Sequence, residues 1–265
     1  MVVVGILGIS LSAIFVRLSD APSAVIAACR LLWTVLLLSP VVWGKGTYRK
    51  ELQNLSRKQI VLCVLSGIFL AIHFALWFES LKQTSVASST AIVCTEVVWV
   101  AIGYRLFMKG ITTKKAWLCI ALALGGSFLI AFSDATGEGG HLYGDILSLL
   151  SAMAVAVYTL LGRAGRKTMT TTVYTYVVYV ACAITLLLFT AAQRYTLEAF
   201  ELSAIAVGFF LAVFSTILGH SIFSWCLKYF SPSFISASKL CEPIVAAAVA
   251  AVLFREIPGA LQVIG

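Results

Sequence analysis

The sequence predicts an all-α polytopic membrane protein with about ten transmembrane helices. Three observations support this prediction: the chain is 61% apolar, it is only 11% charged, and its apolar residues fall into long runs separated by short polar links. A soluble domain is nearer half apolar and a quarter charged, because the outside of a globule must carry polar groups. A chain this apolar is therefore expected to fold in a bilayer.

Nine apolar runs are close to the ~20 residues that a helix needs to cross the hydrocarbon core. A tenth run begins near the end of the sequence, and we interpret the first and the tenth as truncated. The link from Gly44 to Lys58 is the longest and is too short for a soluble catalytic domain. The runs cover residues 2–16, 22–43, 59–78, 84–107, 116–132, 146–161, 173–192, 202–227, 233–254 and 259–265.

Lysine and arginine are distributed unevenly among the links. Thirteen of the nineteen follow the second, fourth, sixth and eighth runs, whereas four follow the first, third, seventh and ninth. Since cytoplasmic loops carry the excess of basic residues, we expect a multi-pass protein of the cytoplasmic membrane with both termini in the cytoplasm. We therefore interpret the net charge of +8 as the result of basic residues in the cytoplasmic loops. No basic stripe with interleaved aromatics indicates nucleic-acid binding.

The two halves of the chain resemble each other. A shift of 146 residues aligns two Leu-Lys links and, in the run that follows each link, aligns Glu96 with Glu242. The predicted repeats cover residues 1–132 and 143–265, joined by an extracytoplasmic linker over 133–142. Five helices per repeat place the second copy in the opposite orientation, which is the inverted repeat of many secondary transporters. The alternative is that two halves rich in Leu, Ala and Val look alike by composition.

Several short motifs accompany this repeat, together with Arg30 in the second run. They are Phe78–Ser85, Ala87–Ala91, Trp225–Pro232, Cys241–Pro243 and Phe254–Glu256. This pattern resembles the drug/metabolite transporter superfamily, in its EamA-like branch with ten helices. The resemblance covers the whole chain but departs at its ends, where a basic N-terminal segment is absent and the tenth run stops early.

The resemblance implies a secondary transporter that works by alternating access. Similar proteins most commonly export a small metabolite, an amino acid or a drug-like compound. The resemblance also implies a central cavity lined by the first, third, fourth, sixth, eighth and ninth helices, with the fifth and tenth supporting the scaffold. A membrane-embedded interaction or assembly protein without transport is the first alternative, and an intramembrane enzyme is a less favoured one.

Ionisable side chains inside membrane helices are costly and indicate functional sites by default. Glu96 and Glu242 lie near the middle of the fourth and ninth runs, where a carboxyl group can exchange a proton or hold a cationic substrate. Lys239 and Glu242 are three residues apart, so they share a helix face and are expected to form a buried pair. The alternative is a structural carboxyl group, either neutral or paired with Lys239 or Arg30. Pro243 follows this pair directly and favours a kink.

Two polar stripes add candidates. His73 and Trp77 share a face of the third run, and Thr216, His220 and Ser224 follow one another at four-residue spacing in the eighth. Both stripes are polar against an apolar background, so we expect them to face the bundle interior. A lone buried histidine is more often a packed hydrogen-bonding residue than a ligand, and that alternative stays open for both.

Smaller polar residues mark two further faces. Ser151 and Tyr158 share a face of the sixth run, and Gly8 and Ser12 share one on the first, where close helix approach is the favoured interpretation. Three tyrosines at the start of the seventh run, Tyr174, Tyr176 and Tyr179, are predicted as interfacial anchors. The complete set of candidate substrate or coupling-ion residues is Glu96, Glu242, His73, Trp77, His220, Lys239, Arg30, Ser12, Ser151 and Tyr158.

Motifs for catalysis and cofactor binding are absent from the sequence. It has no phosphate-binding G-x-x-x-x-G-K-[ST], no H-E-x-x-H and no G-x-S-x-G. The seven cysteines are isolated in apolar runs without metal-ligand spacing, and we interpret all of them as packing. We therefore expect no enzyme activity, catalytic residue, metal or cofactor. The expected partners are a small-molecule substrate and membrane lipids, with a coupling proton and a second copy of the chain as further candidates.

Overall fold

The chain forms a bundle of long helices in a computed structural model. The structure describes residues 1–110, 117–118, 120–122, 124–126, 129, 141–255 and 259–264, and these ranges contain no strand. Eight of the seventeen residues of the predicted fifth run (116–132) lie outside the described residues, as do residues 133–140 of the predicted linker (133–142), with Asp134 and Glu138.

The α-helices that lie wholly within the described residues are α1 (Val2–Arg17), α2 (Ser23–Gly44), α3 (Gly46–Gln53), α4 (Arg57–Gln83), α5 (Val86–Met108), α6 (Leu142–Gly165), α7 (Thr171–Ala192), α8 (Leu202–Cys226), α9 (Pro232–Phe254) and α10 (Ala260–Ile264). Within the described ranges, seven of them are long and apolar enough to cross a membrane, and α1 is a shorter apolar helix of 16 residues. The protein is thus a multi-pass helical membrane protein.

Serine caps begin the two helices that carry the repeated glutamates. Ser85 accepts a hydrogen bond from the Ser88 N–H (3.1 Å) at the start of α5. Ser231 accepts one from the Phe234 N–H (3.2 Å) at the start of α9. A side-chain oxygen at this position satisfies one of the N–H groups that a helix leaves unpaired at its N-terminus. The two caps are 146 residues apart, so the repeat is visible in local structure as well as in sequence.

Two predicted boundaries differ from the structure. The first Leu-Lys pair, at residues 81–82, belongs to the last turn of α4 and not to a link. At 27 residues, α4 is about 40 Å long, longer than the ~30 Å hydrocarbon core, so its ends extend beyond the apolar stretch that marked it in sequence. The link between Gly44 and Lys58 contains α3, a short helix with no buried residue.

Helix directions follow from contacts at the two ends of the bundle. Arg17 donates a hydrogen bond to the Thr84 carbonyl (3.0 Å), so α1 and α4 end together. Gly144 packs against Thr84, so α6 begins at this same end. Arg163 donates to the Lys228 carbonyl (3.1 Å), so α6 and α8 end together at the opposite end. The first helices of the two halves therefore run in opposite directions, and the halves form an inverted repeat.

Glycines allow close helix approach at two crossings. A Cβ atom on Gly8 of α1 would lie 2.6 Å from the Phe214 carbonyl oxygen of α8. A Cβ atom on Gly67 of α4 would lie 2.6 Å from the Val178 carbonyl oxygen of α7. Backbone this close leaves no room for a side chain, as is common where helices associate in membranes.

The tyrosines of α7 differ from their prediction as interfacial anchors. Tyr174 and Tyr179 are fully buried, so their interpretation as interfacial anchors is wrong. Their hydroxyl groups lie 2.8 Å from the Ser66 hydroxyl and 3.0 Å from the Ser221 hydroxyl, respectively. A buried tyrosine usually needs such a partner, and the neighbouring helices provide one. Tyr176 is half-buried.

Candidate functional site

A small cavity lies between the two halves of the bundle. Its volume is about 30 Å³, which accommodates one or two water molecules and no metabolite. Residues from α1, α4, α5, α6, α8 and α9 line it, and these helices correspond to the lining set that the family resemblance implied. The lining residues are Ile9, Ser12, His73, Trp77, Val93, Cys94, Glu96, Val155, His220, Lys239 and Glu242.

Both α5 and α9 are interrupted beside this cavity. In α5 the first segment ends at Val93 and the second begins at Glu96. In α9 a 3₁₀ turn over Lys239–Cys241 precedes a second segment that begins at Glu242. Each glutamate therefore occupies the first turn of a helical segment, where the helix dipole favours negative charge. Broken helices that direct their ends at the substrate are a recurrent feature of secondary transporters.

The break in α9 lies beside Pro243, where the sequence predicts a kink. The irregular turn precedes the proline, which sits in the first turn of the second segment. A proline is tolerated there because its missing N–H has no partner inside the helix in any case. The matching break in α5 contains no proline, and the sequence did not predict it.

A buried ion pair joins α9 to α5 at the cavity. The Lys239 Nζ lies 2.8 Å from the Glu96 Oε1, and the two side chains are 8% and 5% exposed. The predicted pair between Lys239 and Glu242 is therefore wrong. The three-residue spacing places both side chains on one side of α9, but the Lys239 ammonium group binds the carboxylate of Glu96 on α5 instead.

Glu242 is left facing the cavity. Its carboxylate forms neither a hydrogen bond nor an ion pair with any residue in the described part of the chain, although Glu242 is only 6% exposed. The two repeated glutamates thus differ in role. Glu96 has a fixed counter-charge, whereas Glu242 presents a carboxylate to whatever enters the cavity.

Arg30 lies directly behind the cavity wall. Its side chain is completely buried in α2 and donates to the Thr216 hydroxyl (2.7 Å) and the Ser12 hydroxyl (3.1 Å). The guanidinium carbon lies 4.1 Å from the centre of the Phe74 ring, which is within the range of a cation–π contact. Arg30 does not line the cavity, but it holds Ser12, which does.

His73 is held by α6 and by its own helix. Its Nδ1 lies 2.7 Å from the Ser151 hydroxyl, which also donates to the His73 carbonyl (3.0 Å). The imidazole stacks on Trp77 with 5.7 Å between ring centres, and the His220 ring lies 6.4 Å away across the cavity. Ser151 therefore orients a cavity residue without lining the cavity itself.

The three residues of the polar stripe on α8 have different neighbours. Thr216, His220 and Ser224 are all buried, but residues Leu211–His220 form a π-helical segment, so the four-residue spacing of an α-helix does not hold there. Only His220 lines the cavity. Thr216 accepts the bond from Arg30, and the Ser224 hydroxyl lies 3.1 Å from the Tyr158 hydroxyl.

Seven of the ten sequence-predicted candidates line the cavity, and Arg30, Ser151 and Tyr158 lie in the shell behind it. Sequence reasoning missed the apolar lining residues and Cys94, whose Sγ lies 3.5 Å from the Lys239 carbonyl. No sequence signal separates these residues from residues that only pack in the core.

Cys241 is exposed, so the interpretation of every cysteine as a packing residue is wrong for Cys241. The described residues contain no group of His, Cys, Asp and Glu suited to a metal ion.

Comparison with known proteins identifies the family. The model of the EamA-like transporter family matches residues 1–132 and 142–265. The chain belongs to the EamA-like transporter family. This EamA-like protein is also similar to YyaM, an uncharacterized transporter of Bacillus subtilis (strain 168), with 28% identity over 226 residues, or 81% of this chain and 71% of that protein.

The fold of this EamA-like protein has a counterpart among solved structures. One crystal structure superimposes with a TM-score of 0.69 at 16% sequence identity, covering 99% of this chain and 90% of the other. That likeness concerns the fold alone. The family match makes the protein a transporter of the drug/metabolite type and indicates transport in preference to enzymatic chemistry.

Proposed function

We propose that the protein is a secondary transporter that moves a small polar solute across the cytoplasmic membrane by alternating access, in the direction of export. The observation that carries this proposal is the charged cavity enclosed between two oppositely oriented halves. Buried charges in a membrane protein are costly and are associated with substrate and ion pathways. Two related halves can exchange conformations and expose such a site to one side and then to the other.

The chemistry of the cavity supports a solute with both polar and apolar parts. Glu242 offers a carboxylate, Lys239 and Glu96 offer a charge pair, and His73 and Trp77 offer a stacked aromatic wall. An amino acid, another small metabolite or a drug-like compound fits this set. Because the cavity holds only one or two waters, the halves must separate before such a solute can enter.

Glu242 is our candidate for the group that binds a cationic part of the substrate or a coupling proton. It is the cavity carboxylate for which no partner is found among the described residues. The basic residues in the links after the second, fourth, sixth and eighth runs support a cytoplasmic location of both termini. A gradient-driven mechanism is in keeping with a sequence that has no nucleotide-binding motif.

Purified protein in liposomes tests this proposal. A thermal-shift screen of amino acids and small metabolites first selects ligands, since a compound that binds only the folded state stabilises it. We then expect counterflow of at least one selected solute without chemical change, and an imposed pH gradient to drive it if a proton is coupled. Glu242→Gln should reduce this flux at least about tenfold, and Glu79→Gln, at the end of α4, serves as the matched control.

Three results would contradict the proposal. Wild-type flux in both Glu96→Gln and Glu242→Gln would remove the glutamates from the pathway. Absence of flux for every solute in the panel would favour a membrane-embedded interaction protein. A chemically modified solute would indicate an enzyme.

A further inference from the structure

Two arginines occupy corresponding places at opposite ends of the bundle. Arg17 lies in the last turn of α1 and Arg163 in the last turn of α6, and these are the first helices of the two halves. Arg17 donates to the Thr84 carbonyl directly after α4 (3.0 Å), across 67 residues of chain. Arg163 donates to the Leu227 and Lys228 carbonyls directly after α8, across 64 and 65 residues. We call these contacts the Arg17 latch and the Arg163 latch.

Each latch uses groups that a helix end leaves unsatisfied. The last carbonyls of a helix have no intrahelical donor, and the helix dipole is negative at this end. A guanidinium group therefore binds the ends of α4 and α8 more strongly than a neutral donor would. Both arginines are half-buried, so water competes only partly for these carbonyls.

The packing of the helices shows what the latches connect. α1 packs mainly against α8 and α9, which belong to the other half of the sequence. α6 packs mainly against α4 and α5, again in the other half. The bundle thus contains two packed groups, α1 with α8 and α9, and α6 with α4 and α5. These groups meet along α5 and α9, and the cavity lies between them.

Each latch bridges these two groups at one end of the cavity. The Arg17 latch joins α1 to the end of α4, and the Arg163 latch joins α6 to the end of α8. Gly144 of α6 packs against Thr84 and Arg163 follows it by 19 residues, so the two latches lie about 29 Å apart along α6, with the cavity residue Val155 in between. Both latches are closed in this structure, and the cavity is correspondingly small.

We propose that Arg17 and Arg163 are positioning residues that control access to the cavity from opposite sides of the membrane. Release of the Arg17 latch opens the cavity to the extracytoplasmic side, and release of the Arg163 latch opens it to the cytoplasm. This proposal rests on the proposed alternating-access function and adds the contacts that hold each side closed.

Side-specific labelling of a cavity cysteine tests the latches without any substrate. Cys94 lines the cavity and serves as the reporter in a chain whose other six cysteines are replaced by alanine. A membrane-impermeant methanethiosulfonate reagent is added to right-side-out or to inside-out vesicles. Arg17→Gln should accelerate labelling from the extracytoplasmic side about tenfold and not from the cytoplasmic side, since the charged donor to the Thr84 carbonyl is lost. Arg163→Gln should show the reverse.

Matched controls separate latch opening from general loosening. Arg194→Gln and Lys167→Gln remove exposed basic side chains at the Arg17 end and the Arg163 end, respectively, and should leave both labelling rates unchanged. Arg17→Lys and Arg163→Lys keep a charged donor and should restore much of the closed state. These conservative variants also keep the test usable if a glutamine variant folds poorly.

Opposite, side-specific shifts in the two variants support the latches, because a merely structural role would change both sides together. Equal acceleration from both sides, or no change in either variant, would overturn the proposal. Side-specific labelling without flux of any solute would retain the latches and reject the transport proposal. Solute flux with no side-specific labelling would retain transport and reject the latches.

Discussion

Replacing Glu96 with glutamine removes one partner of the ion pair between α5 and α9 and leaves Lys239 buried without its counter-charge. At a separation of 2.8 Å, the Coulomb attraction is about 6 kcal/mol for an effective dielectric constant of about 20. Desolvation offsets much of this attraction in the intact pair, but a lone buried charge keeps its desolvation cost. Glu96→Gln should therefore lower the free energy of unfolding by roughly 3–5 kcal/mol.

The double variant Glu96→Gln/Lys239→Met distinguishes this reasoning from a general packing effect. Because it removes both charges, it should cost much less than the sum of the two single substitutions. Unfolding by sodium dodecyl sulfate in mixed micelles, followed by circular dichroism, measures all three variants. Glu242→Gln is the matched control, since its carboxylate has no partner among the described residues, and it should cost little. Additive single effects, or an equal loss in the Glu242 control, would refute the reasoning.

Three further substitutions test the packing of the helix bundle by the same unfolding measurement. Gly67→Ala should cost about 1–3 kcal/mol through overpacking, because its Cβ atom would meet backbone at 2.6 Å, and Gly44→Ala, which has open space, should stay within about 0.5 kcal/mol. Arg30→Lys should remain well below wild-type stability, since an ammonium group cannot reproduce the planar contacts of the guanidinium; a fully stable lysine variant would contradict this. Ser151→Ala should cost about 1–3 kcal/mol by leaving His73 without its hydroxyl partner, and an unchanged midpoint would contradict that.

The sequence predicted most of the helices and most of the cavity residues. Helix spans are readable because the bilayer demands a run of apolar residues of nearly fixed length. Glu96, Glu242 and Lys239 were identifiable because ionisable groups are rare in such runs. The break in α5 was not identifiable, since the residues between Val93 and Glu96 include no proline or glycine.

Errors in the predicted site have a common physical origin. The expected pairing of Lys239 with Glu242 considered one helix by itself, whereas the Lys239 ammonium group binds the carboxylate of Glu96 on α5. The assignment of Tyr174 to the membrane interface assumed that its hydroxyl needs water, whereas a serine on α4 takes that place. In both cases a neighbouring helix decided the outcome.

The sequence by itself determined that this protein resides in a bilayer, where its helices run, and that it contains an inverted repeat with a glutamate near the middle of one apolar run in each half. These properties depend on hydropathy and spacing within short stretches of chain. Only the tertiary structure decided that Glu96 pairs with a lysine 143 residues away, that Glu242 faces the cavity, and that Arg17 and Arg163 bind helix ends on opposite sides. Such contacts depend on how closely particular helices approach each other and on where the helices are interrupted. Neither property can be read from the residue pattern of a short stretch of chain.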